Sequence, residues 1–207
     1  NMDVPYGEDK VFDMLQIRPI VDSPSNRSLD WDQVDTSGAL IYAESALGLG
    51  AIEGVTDVVY IRPDRFDTAH TQQMADEVNR LNTELRDQKR SYVLVGPGRW
   101  GSSDPWLGVP VKWPHISEAK VIVECGLDNF RVEPSQGTHF FQNLTSFGVG
   151  YLTINPFQGD GRFDIAQLDT QPALYESAYV RHVRFPEPLY IFVDGRKNRA
   201  IIRPADV

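Results

Sequence analysis

Between about residues 67 and 90, Met74, Val78, Leu81 and Leu85 recur at spacings of four, three and four, which lines apolar side chains along one face of an α-helix. Asp67 or Thr68 can cap its start, and Arg86, Lys89 and Arg90 put cations at the end where the helix dipole is negative. Residues 91–95 (SYVLV) follow at once, a continuous apolar run typical of a strand buried on both faces. A helix with one apolar stripe that leads straight into a buried strand predicts a layered α/β fold.

The rest of the chain extends that pattern. Residues 119–124 (AKVIVE), 130–133 (FRVE) and 151–154 (YLTI) are strand candidates, with a turn of helix expected around 116–119 and a short helix over 139–147. Residues 38–61 hold two apolar stretches, ALIYA and VVYI, around Gly48, Gly50 and Gly54, and predict a hairpin or strand pair with glycine-dependent bends. From Tyr179 onward YVRHVRF, PLYIFV and AIIRP are strand-like, the last two joined by Asp194-Gly195-Arg196-Lys197-Asn198, the residues of a hairpin turn. Residues 11–20 are strand-like with nothing before them to pair with, as expected of a chain that begins inside a larger protein. Residues 22–35, rich in Ser, Asp, Asn and Pro, predict a linker and a boundary near residue 30.

Charge narrows the classes of partner. Across 207 residues, 20 Lys and Arg against 29 Asp and Glu leave a net charge of −9, which repels nucleic-acid backbones and anionic membrane surfaces. No apolar run approaches the roughly 18–20 residues that cross a bilayer, and no basic start followed by an apolar stretch opens the chain. The single cysteine, Cys125, excludes an internal disulfide and suits a reducing compartment, so the expected location is the cytoplasm.

Two segments hold candidate chemistry. Gly96-Pro97-Gly98-Arg99-Trp100-Gly101 satisfies a GxGxxG pattern after a strand, but residues 102–110 (SSDPWLGVP) cannot continue as the helix a dinucleotide site needs. What is left is either a looser phosphate nest of backbone N–H groups, the Ser102 and Ser103 hydroxyls and the Arg99 counter-charge, or a structured loop pinned by Trp100 and Trp106. Trp100, Trp106 and Trp113 together suggest either a platform for a sugar or nucleobase or core packing. In the second segment, Ser135-Gln136-Gly137-Thr138-His139, a turn delivers His139 to the start of the short helix. A neutral imidazole there can attack a phosphoryl group while Thr138 and free N–H groups bind its oxygens, or Thr138 simply caps the helix. His70, His115 and His182 lack paired ligands at a metal spacing, and no metal site is expected.

Leu15-Gln16-Ile17-Arg18-Pro19-Ile20 resembles the last strand of the ATP-grasp nucleotide-binding domain in phosphoenolpyruvate synthases and pyruvate, phosphate dikinases. There a Gln-x-Arg motif reaches the nucleotide phosphates, and Gln16 and Arg18 occupy its places. Residues 93–113 (VLVGPGRWGSSDPWLGVPVKW) and 134–157 (PSQGTHFFQNLTSFGVGYLTINPF) are similar to proteins of the phosphoenolpyruvate- and pyruvate-binding group. The resemblance covers most of residues 11–157. It implies that 1–30 are the last strand of a truncated ATP-grasp domain plus a linker. Residues 31–207 would then be a swivelling phosphohistidine-like α/β domain, a mixed sheet with flanking helices and extra C-terminal strands. By the same resemblance His139, in the place of the histidine of a Gly-Gly-x-Thr-x-His motif, is the phosphoryl acceptor and Thr138 its neighbour in the cradle. This chain differs in having one glycine, in placing Thr138 next to His139, and in following it with bulky Phe140 and Phe141. ATP and Mg²⁺ are implied for the full-length protein with none bound to this segment, the ATP-grasp domain of the same polypeptide is implied as partner, and pyruvate or phosphoenolpyruvate as further ligand. The competing expectation is a non-catalytic module that keeps only the fold and binds a partner or small ligand through its Trp-rich loop.

Overall fold

A computed structural model of the chain describes residues 29–104, 106–128, 131–133 and 147–205. In chain order its elements are β1 (Ile41–Ala43), β2 (Ser45–Leu47), β3 (Leu49–Ile52), β4 (Asp57–Ile61), α1 (Thr71–Asp87), β5 (Tyr92–Pro97), β6 (Arg99–Trp100), β7 (Gly108–Val109) and β8 (Ala119–Cys125). After these come β9 (Gly150–Ile154), β10 (Arg162–Phe163), α2 (Ile165–Asp169), β11 (Ala173–Glu176), β12 (Val180–Arg184), β13 (Tyr190–Asp194) and β14 (Arg199–Arg203). The fold is mixed α/β.

Side-chain alternation explains the layers. Along β4 and β5, Val58, Tyr60, Val93 and Val95 enter one apolar cluster, while Val59, Ile61, Tyr92 and Leu94 enter another on the opposite face. A strand apolar at every position needs cover on both sides, and this one has it. These strands lie in a seven-stranded sheet of order β11-β12-β4-β5-β8-β9-β2, in which β4, β5, β8 and β9 run parallel. One face packs on α1, whose Met74, Val78, Leu81 and Leu85 are all buried, each burial worth about 1.5–3 kcal/mol. The other face packs on an antiparallel five-stranded sheet of order β10-β1-β14-β13-β3, and Trp31 closes a third cluster with Phe192 and Ile201.

The helix starts three residues later than its outermost capping signal suggests. Asp67 caps a 3-10 turn, Thr68–His70, by accepting the Ala69 N–H at 2.9 Å, and α1 follows. The hairpin expected at residues 194–198 is present, with β13 and β14 paired and Asn198 at φ 55°. The hairpin or strand pair expected over residues 38–61 is not. That stretch forms four strands shared between both sheets. β1 pairs with β10 and β14, whereas β4 pairs with β5 and β12. Gly48 (φ 128°) makes the crossing, where an added Cβ would meet Val193 Cγ1 at 3.1 Å and the Gly150 Cα at 3.2 Å. Residues 131–133 of the FRVE segment have no strand pairing, because the Asn155 side chain holds the Val132 backbone by both N–H (2.8 Å) and C=O (3.1 Å). Among the described residues no helix is long and apolar enough to cross a membrane. The strand-like run at 11–20 and most of the short helix expected over 139–147 lie outside the described residues.

Candidate functional site at the carboxyl edge of the parallel strands

β5, β8 and β9 end side by side, and the chain that leaves each end builds this edge. The Gly98 N–H donates to the Cys125 carbonyl at 3.0 Å and the Gly126 N–H to the Ile154 carbonyl at 2.8 Å, so the three exits are tied together. After β5 the chain forms the short strand β6 instead of a helix, which excludes a dinucleotide fingerprint here. β6 pairs in parallel with β7, closing the loop between them. At Gly108 (φ 156°) any Cβ would run into the Arg99 backbone, so only glycine permits that closure.

Trp100 roots this loop in the core. Its indole N–H donates to the Val123 carbonyl at 3.0 Å, and its backbone N–H donates to Glu124 Oε1 at 3.1 Å. Glu124 is fully buried, and the Tyr151 hydroxyl donates to its Oε2. Thr153, the register neighbour of Glu124, is also buried, and its hydroxyl has no hydrogen-bond partner among the described residues. Next to them the Cys125 thiol is pushed up to about 12 by burial, which keeps it protonated and unsuited to nucleophilic work at neutral pH.

The three tryptophans sit at different depths. Trp100 is buried, Trp113 stacks on Phe147 at 5.3 Å between ring centroids, and Trp106 is 73% exposed. Trp106 therefore does not pin the loop; the pin is Trp100 alone of the pair. The loop's donors are largely committed to itself. The N–H groups of Arg99, Gly101 and Leu107 go to the carbonyls of Leu107, Val109 and Asp104, and the Trp106 N–H goes to Asp104 Oδ1. The Ser102 hydroxyl donates to the Asp104 carbonyl and accepts the Asp104 N–H. Of the nest expected from Arg99, Ser102 and Ser103, the half-buried Arg99 guanidinium and the exposed Ser103 hydroxyl are the side-chain groups without a partner among the described residues.

Gln16, Arg18, Thr138 and His139 lie outside the described residues. Among the described residues no group of three or more His, Cys, Asp or Glu side chains could hold a metal ion. Sequence reasoning passed over Glu124 and its partners, although the signal was there: a lone acid in a strand that is apolar apart from Lys120 near its start, AKVIVEC. It also passed over Asp57, the fully buried residue that opens β4 at the other edge. Asp57 accepts from His182 Nε2 at 2.8 Å, Arg184 Nε at 2.8 Å, Arg90 Nε at 2.9 Å and the Thr56 hydroxyl at 2.8 Å. Burial alone would raise its carboxyl, but the bonds from His182, Arg184, Thr56 and Arg90 outweigh it and hold Asp57 well below the usual carboxylate range.

No family model, curated protein or solved structure matches the chain.

Proposed function

We propose that the chain is the C-terminal, phosphohistidine-like part of a phosphotransferase of the phosphoenolpyruvate synthase and pyruvate, phosphate dikinase kind, in which His139 relays a phosphoryl group from ATP. The observation that carries the reading is one of connectivity. The segment Gly137-Thr138-His139 falls between the parallel neighbours β8 and β9, so it belongs to the connection that leaves the carboxyl end of β8 and returns to the start of β9. Open α/β sheets bind their ligands outside that edge. The Arg99 cation, on the exit from the adjacent β5, adds a charge suited to phosphoryl oxygens.

In this reading one ring nitrogen of a neutral His139 attacks phosphorus. The bond from phosphorus to its bridging oxygen breaks, the nucleotide leaves with that oxygen, and the new N–P bond carries the phosphoryl group onward. Thr138 and backbone N–H groups take its oxygens. Gln16 and Arg18 belong to the nucleotide side, on the ATP-grasp domain of the same polypeptide, where ATP and Mg²⁺ bind; pyruvate or phosphoenolpyruvate is the onward partner. In this reading the transfer depends on the ATP-grasp sheet, which holds the triphosphate.

The test uses the full-length protein with ATP labelled in its β- and γ-phosphates. An acid-labile, base-stable label that disappears in His139→Ala is expected. Labelling unchanged by that substitution discards His139 as the carrier, and absence of label in the unsubstituted protein leaves a non-catalytic module.

A further inference from the structure

The amino edge of the parallel strands carries a second feature that the carrier reading does not use. A cleft of about 420 Å³ opens there, lined by Glu53, Gly54, Lys89, Arg90, Ser91 and Lys120. Its volume lies within the usual range of about 300–1,000 Å³ for small-molecule sites. Three of these side chains are cationic in a chain of net charge −9, so the cleft is a local reversal of the overall charge.

The cations are not there only to balance acids. Among the described residues no carboxylate pairs with Lys89 or Lys120. Arg90 is held rigidly, its Nε on Asp57 and its Nη2 on Asp57 and Thr56, which leaves Nη1 without a partner among the described residues. Lys89 is the first residue past α1 to take a left-handed conformation, φ 55°, in the turn where the Arg90 N–H returns to the Leu85 carbonyl at 2.9 Å. Glycine is the usual residue there, and a lysine costs about 1 kcal/mol or more in backbone strain. Attraction to the helix dipole accounts for a cation at this end but not for a strained backbone beneath it. Glu53 is the single carboxylate among the lining side chains, a group that repels a bare anion and can accept a hydrogen bond from a hydroxyl.

We propose that this cleft binds a small phosphate ester, its phosphate oxygens taken by Lys89, Lys120 and Nη1 of Arg90 and a hydroxyl of the same molecule by Glu53. The residues that would hold this ligand are not those of the carrier reading, so loss of binding here leaves that reading untouched.

Calorimetric titration of the chain with glycerol phosphate and with inorganic pyrophosphate tests it. Saturable binding of glycerol phosphate is expected, weakened about fivefold or more by Lys89→Gly and by Lys120→Gln. Lys89→Gly relieves the strained backbone and is expected to raise the melting temperature, so weaker binding in that variant is not unfolding. Glu53→Gln is expected to weaken glycerol phosphate and to tighten pyrophosphate. The proposal is overturned by absence of saturable glycerol phosphate binding, by affinities that ignore both lysine substitutions, or by pyrophosphate binding where glycerol phosphate does not.

Discussion

Asp57 and Glu124 are both fully buried carboxylates on the helix-facing side of one sheet, yet their surroundings differ in kind. Asp57 sits at the amino edge and gathers Arg90, Arg184 and His182, side chains from two separate segments. Glu124 sits at the carboxyl edge, and the hydrogen bonds described for it come from a backbone N–H and a tyrosine hydroxyl. The first arrangement is a strut. It joins the end of α1 to β12 through one charge, and its strength comes from electrostatics around a carboxylate that water does not reach, although Arg90 and Arg184 stay partly exposed. The second is a hinge pin for the loop between β6 and β7, and its strength comes from geometry. A layered α/β fold thus fixes its two ends by different means, the amino edge through charged partners and the carboxyl edge through uncharged donors.

The largest effect should come from breaking the strut. Asp57→Ala leaves Arg90, Arg184 and His182 facing one another without their shared anion, and a loss of about 3–5 kcal/mol in urea unfolding is expected. The pH profile sharpens the point. Because the folded carboxyl is held below its unfolded value, Asp57 stabilises the fold above about pH 4 and that contribution is withdrawn as the pH falls below it. Asp57→Asn should therefore flatten the acid limb of the stability curve; an unchanged limb would mean that other carboxylates govern acid unfolding. A comparable loss is expected from Gly108→Ala, which forces a methyl group into the Arg99 backbone. It should cost about 2–4 kcal/mol or open the loop, read as a rise in hydrogen exchange at Arg99, Gly101 and Leu107.

Tyr151→Phe is the next step down. It removes one donor from buried Glu124 without changing ring volume, and a loss of about 1–3 kcal/mol is expected. If Tyr151→Phe instead equals Asp57→Ala, the contrast between the two carboxylates fails.

Much of this contrast was hidden in the sequence while its frame was plain. α1 and the strands β5, β8, β9 and β12–β14 stand out because their apolar residues recur with a period or form unbroken runs, and both signals arise from burial itself. The path of β1 to β3 was not legible, since the partners of Ile41 are Phe163 and Ile202, more than a hundred residues away, and no local pattern encodes that choice. β10, β11 and the five-residue α2 are too short to show a period. At the carboxyl edge, Trp100, Trp106 and Trp113 look alike in sequence. Their depths follow from neighbours, since Trp100 enters the core over Gly96, where a side chain would collide with its ring, and bonds to the β8 backbone. Asp57 and Glu124 announced themselves only as single acids in apolar strands, and nothing local says which would collect cations.

The smallest expected effect completes the comparison. Trp106 is 73% exposed, and its backbone, not its ring, is what the loop holds, through the Trp106 N–H on Asp104. Trp106→Ala should accordingly shift stability by no more than about 0.5 kcal/mol, the ordinary range for a surface substitution. Trp100→Ala, a few residues away in the same loop, removes a buried indole and should cost about 3–5 kcal/mol. Equilibrium unfolding of the two variants side by side reads the difference directly. A carboxyl edge fixed by geometry requires that asymmetry, because the loop's shape then depends on the tryptophan that reaches Glu124 and Val123 and is indifferent to the one that faces water. Equal losses at the two positions would show that the Trp106 ring helps to hold the loop, and the pin would have to be redrawn to include it.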